Sequence, residues 1–449
     1  MRGGSVPVLV GALGAAAVTG AYRPWLRRWP LSVPNALLSA IASEKPGVLV
    51  GAHALAGAAA LRSPGASRVA GLALNAGALV GLVGLLGDAR RSSEALDRAL
   101  REAEVPETVS AALSAVSDGA SAGLSAVSAD VPAGRWAGLA GLAGRARRRP
   151  EGVLAGRVAR RRYRRVADIS YSEHGPFGTL DVWHRADLPL DGRAPVLLQV
   201  HGGAWSTGDK VGQAEPLLGY FAERGWVCVT VNYRLAPVVR WPAMVVDVKR
   251  AIAWVREHIA GHGGDPDFIA ITGGSAGGHL AALAALSAND PDYQPGFTEV
   301  DTSLAAAVPL YGVHDFTRDR QGLWPLLEGK IIGTSYAADE HTWRQASPAL
   351  RVDATTPPFF VVHGSTDAIV GVEQSRRLVD ALRAASPSPV GYAELPHAQH
   401  GFDAFASART AYTVDAVYRF LTAVHQRAGG PAVVAGAGQT GRKQVDAGR

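Results

Sequence analysis

Two serines in this chain stand in the same local pattern. Gly273-Gly274-Ser275-Ala276-Gly277 and Gly119-Ala120-Ser121-Ala122-Gly123 both spell Gly-X-Ser-X-Gly. That pattern can seat a nucleophilic serine on a sharp turn between a strand and a helix. A chain with 53 glycines in 449 residues produces such a match by composition alone, so the surroundings must decide. Before Ser275 runs PDFIAI, a strand pattern, and after it GHLAALAALSA, a strong helix former. Ser275 therefore falls at a strand-to-helix junction, where a helix amino terminus aims free N–H groups and the positive end of its dipole. Ser121 lies in a repetitive Ala-Val-Ser stretch with no β-branched run before it. Nothing there can turn it outward, and Ser275 is the candidate nucleophile.

A serine hydroxyl attacks poorly unless a base removes its proton. Of the 13 histidines, His400 in AELPHAQHGFD follows a strand run and precedes Gly401-Phe402. Parallel sheets gather their sites at the carboxyl ends of strands. His397, three residues away, is the rival base, and His279 lies one turn into the helix after Ser275 and should point away. A carboxylate must hold the imidazole's tautomer. Asp367 in FFVVHGSTDAIV stands 92 residues after Ser275 and 33 before His400. The chain order Ser, Asp, His is one known arrangement of such a triad. Asp315 in LYGVHDF is the rival acid, and Asp247 reads as an exposed or capping residue of an amphipathic helix.

Acyl transfer also needs N–H donors aimed where a carbonyl oxygen becomes negative. His201-Gly202-Gly203-Ala204-Trp205 follows an apolar strand run, and its glycines permit close backbone approach. Gly203 and Ala204 are the best donors there, Gly202 shapes the loop, and Ala276 N–H adds a donor beside the serine. His201 is expected to brace the loop. Trp205 is expected either to wall a substrate pocket or to fill the core.

These residues need a scaffold. From about 163 to 425, strand-like runs (APVLLQVHGG, GWVCVTVNYR, DFIAITGGS, SLAAAVPLYG, TPPFFVVHGS, SPVGYAELPH) alternate with amphipathic stretches such as AMVVDVKRAIAWVREHIAGHG. Alternation of this kind predicts an α/β fold, a mostly parallel sheet with helices on both faces. Strands apolar throughout fit a sheet covered on both sides. Residues 312–350, with Trp324, Leu326, Leu327 and Trp343, read as a small cap shaping the substrate pocket.

The first 91 residues differ in kind. Val6–Tyr22, Gly47–Leu61 and Val69–Gly87 are uncharged; the third, 19 residues long, would extend roughly 28 Å as a helix. These predict a helical membrane-embedded anchor, placing the protein at the cell membrane. A cleaved signal peptide is the competitor for the first stretch, and a soluble helical bundle for all three. Arg23, Arg27, Arg28 and Lys45 flank one side, and Arg90, Arg91, Arg98 and Arg101 follow the third. With three spans the positive-inside rule would put both, and the domain that follows, in the cytoplasm; two spans or cleavage would allow the reverse, so the orientation stays open. Residues 92–160 read as an Ala/Ser/Arg-rich helical linker, 161–426 as the catalytic domain and 427–449 as a disordered tail.

Formal charge is +6, with arginines clustered at 145–165. A basic run can bind nucleic acid or anionic lipid, but no aromatic-interleaved motif accompanies it. It reads as a solvated linker, with no nucleic-acid partner. Cys228 is the only cysteine, which excludes an intrachain disulfide and a Cys-based zinc site; within WVCVTV it reads as a buried thiol.

HGGAW, NYRLAP at Asn232–Pro237, GGSAGG, HGSTD and HAQHGF, in that order, together resemble the bacterial esterase/lipase branch of the α/β-hydrolase superfamily related to hormone-sensitive lipase, and actinobacterial carboxylesterases in particular. The resemblance covers about 160–425. It implies an α/β-hydrolase fold and a serine carboxylic-ester hydrolase without metal or organic cofactor. Ser275, Asp367 and His400 match the family's nucleophile, acid and base; Gly203, Ala204 and Ala276 match its oxyanion donors. Ala204 replaces the third glycine of the usual HGGG but keeps its N–H. The implied substrate is a small-molecule or lipid ester. An amidase or acyltransferase on the same three residues is the alternative, as is a membrane-anchored interaction module with an inert hydrolase fold.

Overall fold

The computed structural model describes residues 5–106, 163–318 and 322–430. Eight strands form one sheet: β1 Tyr163–Ser170, β2 Thr179–Arg185, β3 Ala194–Val200, β4 Val227–Val231, β5 Gly264–Gly274, β6 Ala306–Leu310, β7 Phe359–Gly364 and β8 Val390–Leu395. Their spatial order is β1-β2-β4-β3-β5-β6-β7-β8. β2 runs antiparallel to both β1 and β4, and every pairing from β4 through to β8 is parallel. The six runs expected from the sequence are β3 to β8. Strands β1 and β2 were not among them. β1 is polar and mostly exposed, so it lacks the apolar signature of a covered strand, and pairing rather than burial defines it. Two residues of the basic cluster, Arg164 and Arg165, belong to β1, and Arg165 pairs with the buried Asp181 of β2.

Chain crossings between the parallel strands bury both faces, as the apolar runs require. β4 and β6 are buried at every position. One face packs on the helices Ala243–His258 and Ala276–Ala285. The other packs on Glu215–Glu223 and Ala408–Arg427. Cys228 lies within this core, and burial pushes its thiol pKa up, so it is the inert thiol expected.

Among the described residues, four helices precede the sheet: α1 Ser5–Tyr22, α2 Ser32–Glu44, α3 Pro46–Ala60 and α4 Gly65–Glu102. The three uncharged stretches are α1, α3 and the first part of α4; α1 and α4 are long and apolar enough to cross a membrane. α4 is continuous through residue 91, where the sequence reading divided anchor from linker. Its last turns are not linker: Leu96, Ala99 and Leu100 are buried with Phe360, Leu395 and Phe420 in the second sheet core. The approach is close enough that a Cβ at Gly391 of β8 would stand 2.6 Å from the Ala99 carbonyl oxygen, so glycine is required there. Residues 107–160, Ser121 among them, and residues 431–449 lie outside the described residues.

Later helices are numbered onward: α5 Glu215–Glu223, α6 Ala243–His258, α7 Ala276–Ala285, α8 Glu340–Gln345, α9 Glu373–Ala385 and α10 Ala408–Arg427.

Candidate active site

Ser275 occupies the junction between β5 and α7 with φ 59° and ψ −121°. That conformation is strained for a residue with a Cβ, and such strain concentrates at functional sites. Its N–H donates to the Leu310 carbonyl of β6 at 3.0 Å, which pins the turn to the neighbouring strand. The hydroxyl is thereby lifted to the carboxyl edge of the sheet, where it meets His400 Nε2 at 2.8 Å.

His400 Nδ1 donates to Asp367 Oδ2 at 2.7 Å. Because a carboxylate faces Nδ1, the proton resides there and Nε2 is left to accept from the serine. Burial alone would raise the Asp367 pKa; the attraction of His400 and the hydrogen bonds of His363 and His400 more than offset it, and the carboxyl is held below its usual range. Its other oxygen, Oδ1, accepts from Ile369 N and Val370 N, each at 2.8 Å. Asp367 is thus fixed by backbone on one side and imidazole on the other.

His363 was not singled out by sequence. Its Nε2 lies 3.0 Å from Val370 O and 3.3 Å from Asp367 Oδ2, while Nδ1 lies 2.7 Å from Ser375 Oγ. Both neighbours of Nε2 are acceptors, so Nε2 carries the proton and supports the carboxylate from behind. Tyr311 was missed too: its ring packs edge-on against His400 with centroids 4.8 Å apart, and its hydroxyl donates to the half-buried Asp403. Burial raises the pKa of both Tyr311 and Asp403. The one available signal was the position of Tyr311, directly after a strand at the same sheet edge.

The 201–205 loop follows β3, the strand beside β5. Gly203 has φ 131°, a backbone region costly for any residue with a side chain, and a Cβ there would collide with the Thr207 carbonyl. Among the described residues the N–H groups of Gly203, Ala204 and Ala276 donate to nothing. Gly202 N–H instead donates to Gln213 Oε1 at 2.8 Å, so Gly202 shapes the loop and is not a free donor. His201 is buried, stacks on Tyr233 with centroids 4.3 Å apart, and burial lowers its pKa. It braces the loop. Trp205, weighed for the pocket wall, is 1% exposed and donates from Nε1 to His279 Nδ1 at 3.1 Å. Its side chain supports the loop from the core, against Phe316.

The rivals are engaged elsewhere. His279 points away from Ser275, lies 2.8 Å from the Ala346 carbonyl through Nε2, and burial pushes its pKa down to about 4. His397 pairs with Asp88 of α4 at 2.9 Å. Asp315 binds Thr317. Asp247 is neither exposed nor a cap: it is fully buried and takes three hydrogen bonds from the Arg234 guanidinium and a fourth from Arg234 N–H at 2.9 Å. That ion pair clamps the Asn232–Pro237 segment onto α6. The cap expectation rests on Trp343, fully buried and stacked on Trp324 at 4.4 Å, with α8 beside it.

A mostly parallel sheet with Ser275, His400 and Asp367 meeting at its carboxyl edge is the arrangement of the α/β-hydrolase class. The BD-FAE family model matches residues 180–382. The chain is 54% identical over 282 residues to the probable carboxylic ester hydrolase LipM of Mycobacterium tuberculosis, covering 61% of this chain and 65% of that one. It is 45% identical to esterase LipC of the same organism, covering 61% and 68% respectively. A truncated carbohydrate esterase from gut microbiota superposes with a TM-score of 0.50 over 57% of this chain and 96% of that one; at 21% identity this likeness speaks for the fold alone. The chain belongs to the family of these α/β-hydrolase esterases. The matched part falls just short of two thirds of LipM's length.

Proposed function

We propose that the protein is a serine carboxylic-ester hydrolase working through an acyl-enzyme, with Ser275, His400 and Asp367 as its catalytic residues. His400 Nε2 takes the hydroxyl proton as Ser275 Oγ attacks the ester carbonyl. The carbonyl oxygen gains negative charge, and the Gly203, Ala204 and Ala276 N–H groups stabilise it; each such donor is worth roughly 10²- to 10³-fold in rate. His400 returns its proton to the departing alcohol. Water, deprotonated by the same nitrogen, then attacks the acyl-enzyme and releases the acid. Asp367 stabilises the imidazolium formed in both halves, and His363 keeps that carboxylate in place.

The observation that carries this reading is the unbroken hydrogen-bonded chain from Ser275 Oγ through His400 to Asp367, at 2.8 and 2.7 Å. The esterase names of LipM and LipC support the same bond type for the substrate, a small-molecule or lipid ester. Hydrolysis of p-nitrophenyl esters across acyl lengths tests it. Turnover is expected on at least one chain length and lost in Ser275→Ala; turnover on none contradicts the assignment.

For location, the reading is that α1 and α4 anchor the protein in a bilayer through outward-facing apolar side chains. On α1 Leu9 is 55% exposed, and on α4 Val69 is 69% and Val80 76% exposed, which is unfavourable in water. Retention in the membrane pellet after carbonate washing is the expected result; release by carbonate contradicts spanning helices.

A further inference from the structure

The loop 396–403 between β8 and α10 carries His400, and the N-terminal helices grip it. Asp88 is fully buried on α4, one residue past the uncharged run. One carboxylate oxygen pairs with Arg91, and the other lies 2.9 Å from His397 Nδ1. The His397 ring also meets Tyr22, the last residue of α1, edge-on with centroids 4.5 Å apart. His397 itself holds a left-handed φ of 49°, and its N–H donates to Ser365 Oγ at 2.9 Å, two residues before Asp367. Arg409 of α10 adds a second grip: it donates to the Pro396 carbonyl at 3.0 Å and to Ser92 Oγ of α4 at 3.1 Å, and it pairs with the buried Glu44 of α2. Three helices outside the hydrolase domain thus converge on the residues just before His400.

We propose that Asp88 and His397 are positioning residues, through which the N-terminal helices hold the His400 loop in register with Ser275. The proposal rests on His400 acting as the base. A small displacement of a general base costs far more in turnover than in substrate affinity, and an ångström can cost 10²-fold. Without the carboxylate, His397 loses its partner and its strained backbone has less to hold it. Loss of registry should then appear in kcat.

The experiment uses the full chain in detergent with p-nitrophenyl butyrate. Asp88→Ala is expected to lower kcat about tenfold with KM within about twofold, the pattern of an interaction used in the transition state. His397→Ala should do the same, and the double variant should be no slower than the slower single one, because the two act as one unit. Glu102→Ala removes the 2.8 Å pair with Arg383 of α9 roughly 21 Å further along α4 and should leave kcat unchanged. An unchanged kcat, or a raised KM alone, in the Asp88 and His397 variants overturns the proposal, since simple docking would lower only the melting temperature. If Asp88→Ala fails to fold, His397→Ala, on the more exposed partner, decides by the same criteria. If the wild-type chain turns over no ester, the hydrolase reading falls and this proposal with it.

Discussion

The same apolar residue types are arranged in opposite ways in the two halves of the molecule. In the sheet, Leu197, Val229, Ile271 and Phe360 are fully buried, whereas in α3 and α4 Leu55 and Val80 are among the most exposed residues. What the N-terminal helices bury against one another is a small apolar cluster, Val18, Leu82 and Leu85 among alanines, together with a polar contact. His53 Nδ1 lies 2.8 Å from Asn75 Oδ1, and Asn75 in turn donates to the Pro7 and Gly71 carbonyls at 2.9 and 2.7 Å. Small glycines let α1 approach α4 at this bond. Polar contacts of this kind can hold a helix bundle in lipid, which fits the proposed bilayer anchor. The sheet follows the rule for water, and on the proposed anchor the two solvents would meet near Asp88.

The contrast can be broken at several points. Asp367→Asn should cost most: it keeps the shape but loses the charge that fixes the His400 tautomer, and kcat should fall by roughly 10⁴-fold, as single-turnover kinetics would read. Leu197→Ala in β3 should destabilise the chain by about 2–5 kcal/mol, while Leu55→Ala should change stability by less than about 0.5 kcal/mol. Equal losses, measured by denaturant unfolding in detergent, would mean that the helices bury their apolar faces as a soluble bundle does. Val80→Lys should weaken membrane retention by about 2.5–3.5 kcal/mol, read as the fraction in the membrane pellet; no shift would place Val80 away from lipid.

Asp367 also sets a pH signature. Its carboxyl pKa is lowered in the folded chain, so its contribution to stability is complete above the unfolded value of about 3.9 and disappears as pH falls through the folded one. The stability gap between wild type and Asp367→Asn should therefore be constant from pH 5 to 7 and narrow below about pH 4, by on the order of 1 kcal/mol per unit. A gap that widens toward acid would reverse the sign and contradict the pairing.

What could be read in the sequence were the parts with local causes. Ser275, Asp367 and His400 each follow an apolar strand run, and the sheet edge is where such positions converge. The exceptions all depend on side-chain partners that no local pattern marks and that only the folded chain brings alongside. Gln213 takes the Gly202 N–H, and Arg234 takes Asp247 into the interior. His363 looks like one more strand residue until β7 is placed beside Asp367. Strand β1 was invisible because its polar side chains face solvent, and only its pairing to β2 makes it a strand. The α4 helix was divided at residue 91 because apolarity ends there, although helix propensity in SSEALDRALRE does not.

The central claim is that Ser275 is the nucleophile, and active-site labelling reads it directly. The full chain is reacted with a fluorophosphonate, digested, and the modified peptide located by mass spectrometry. The account predicts a single phosphonate on Ser275, lost in Ser275→Ala together with ester turnover. Modification at Ser121, or labelling and turnover that survive Ser275→Ala, would contradict it.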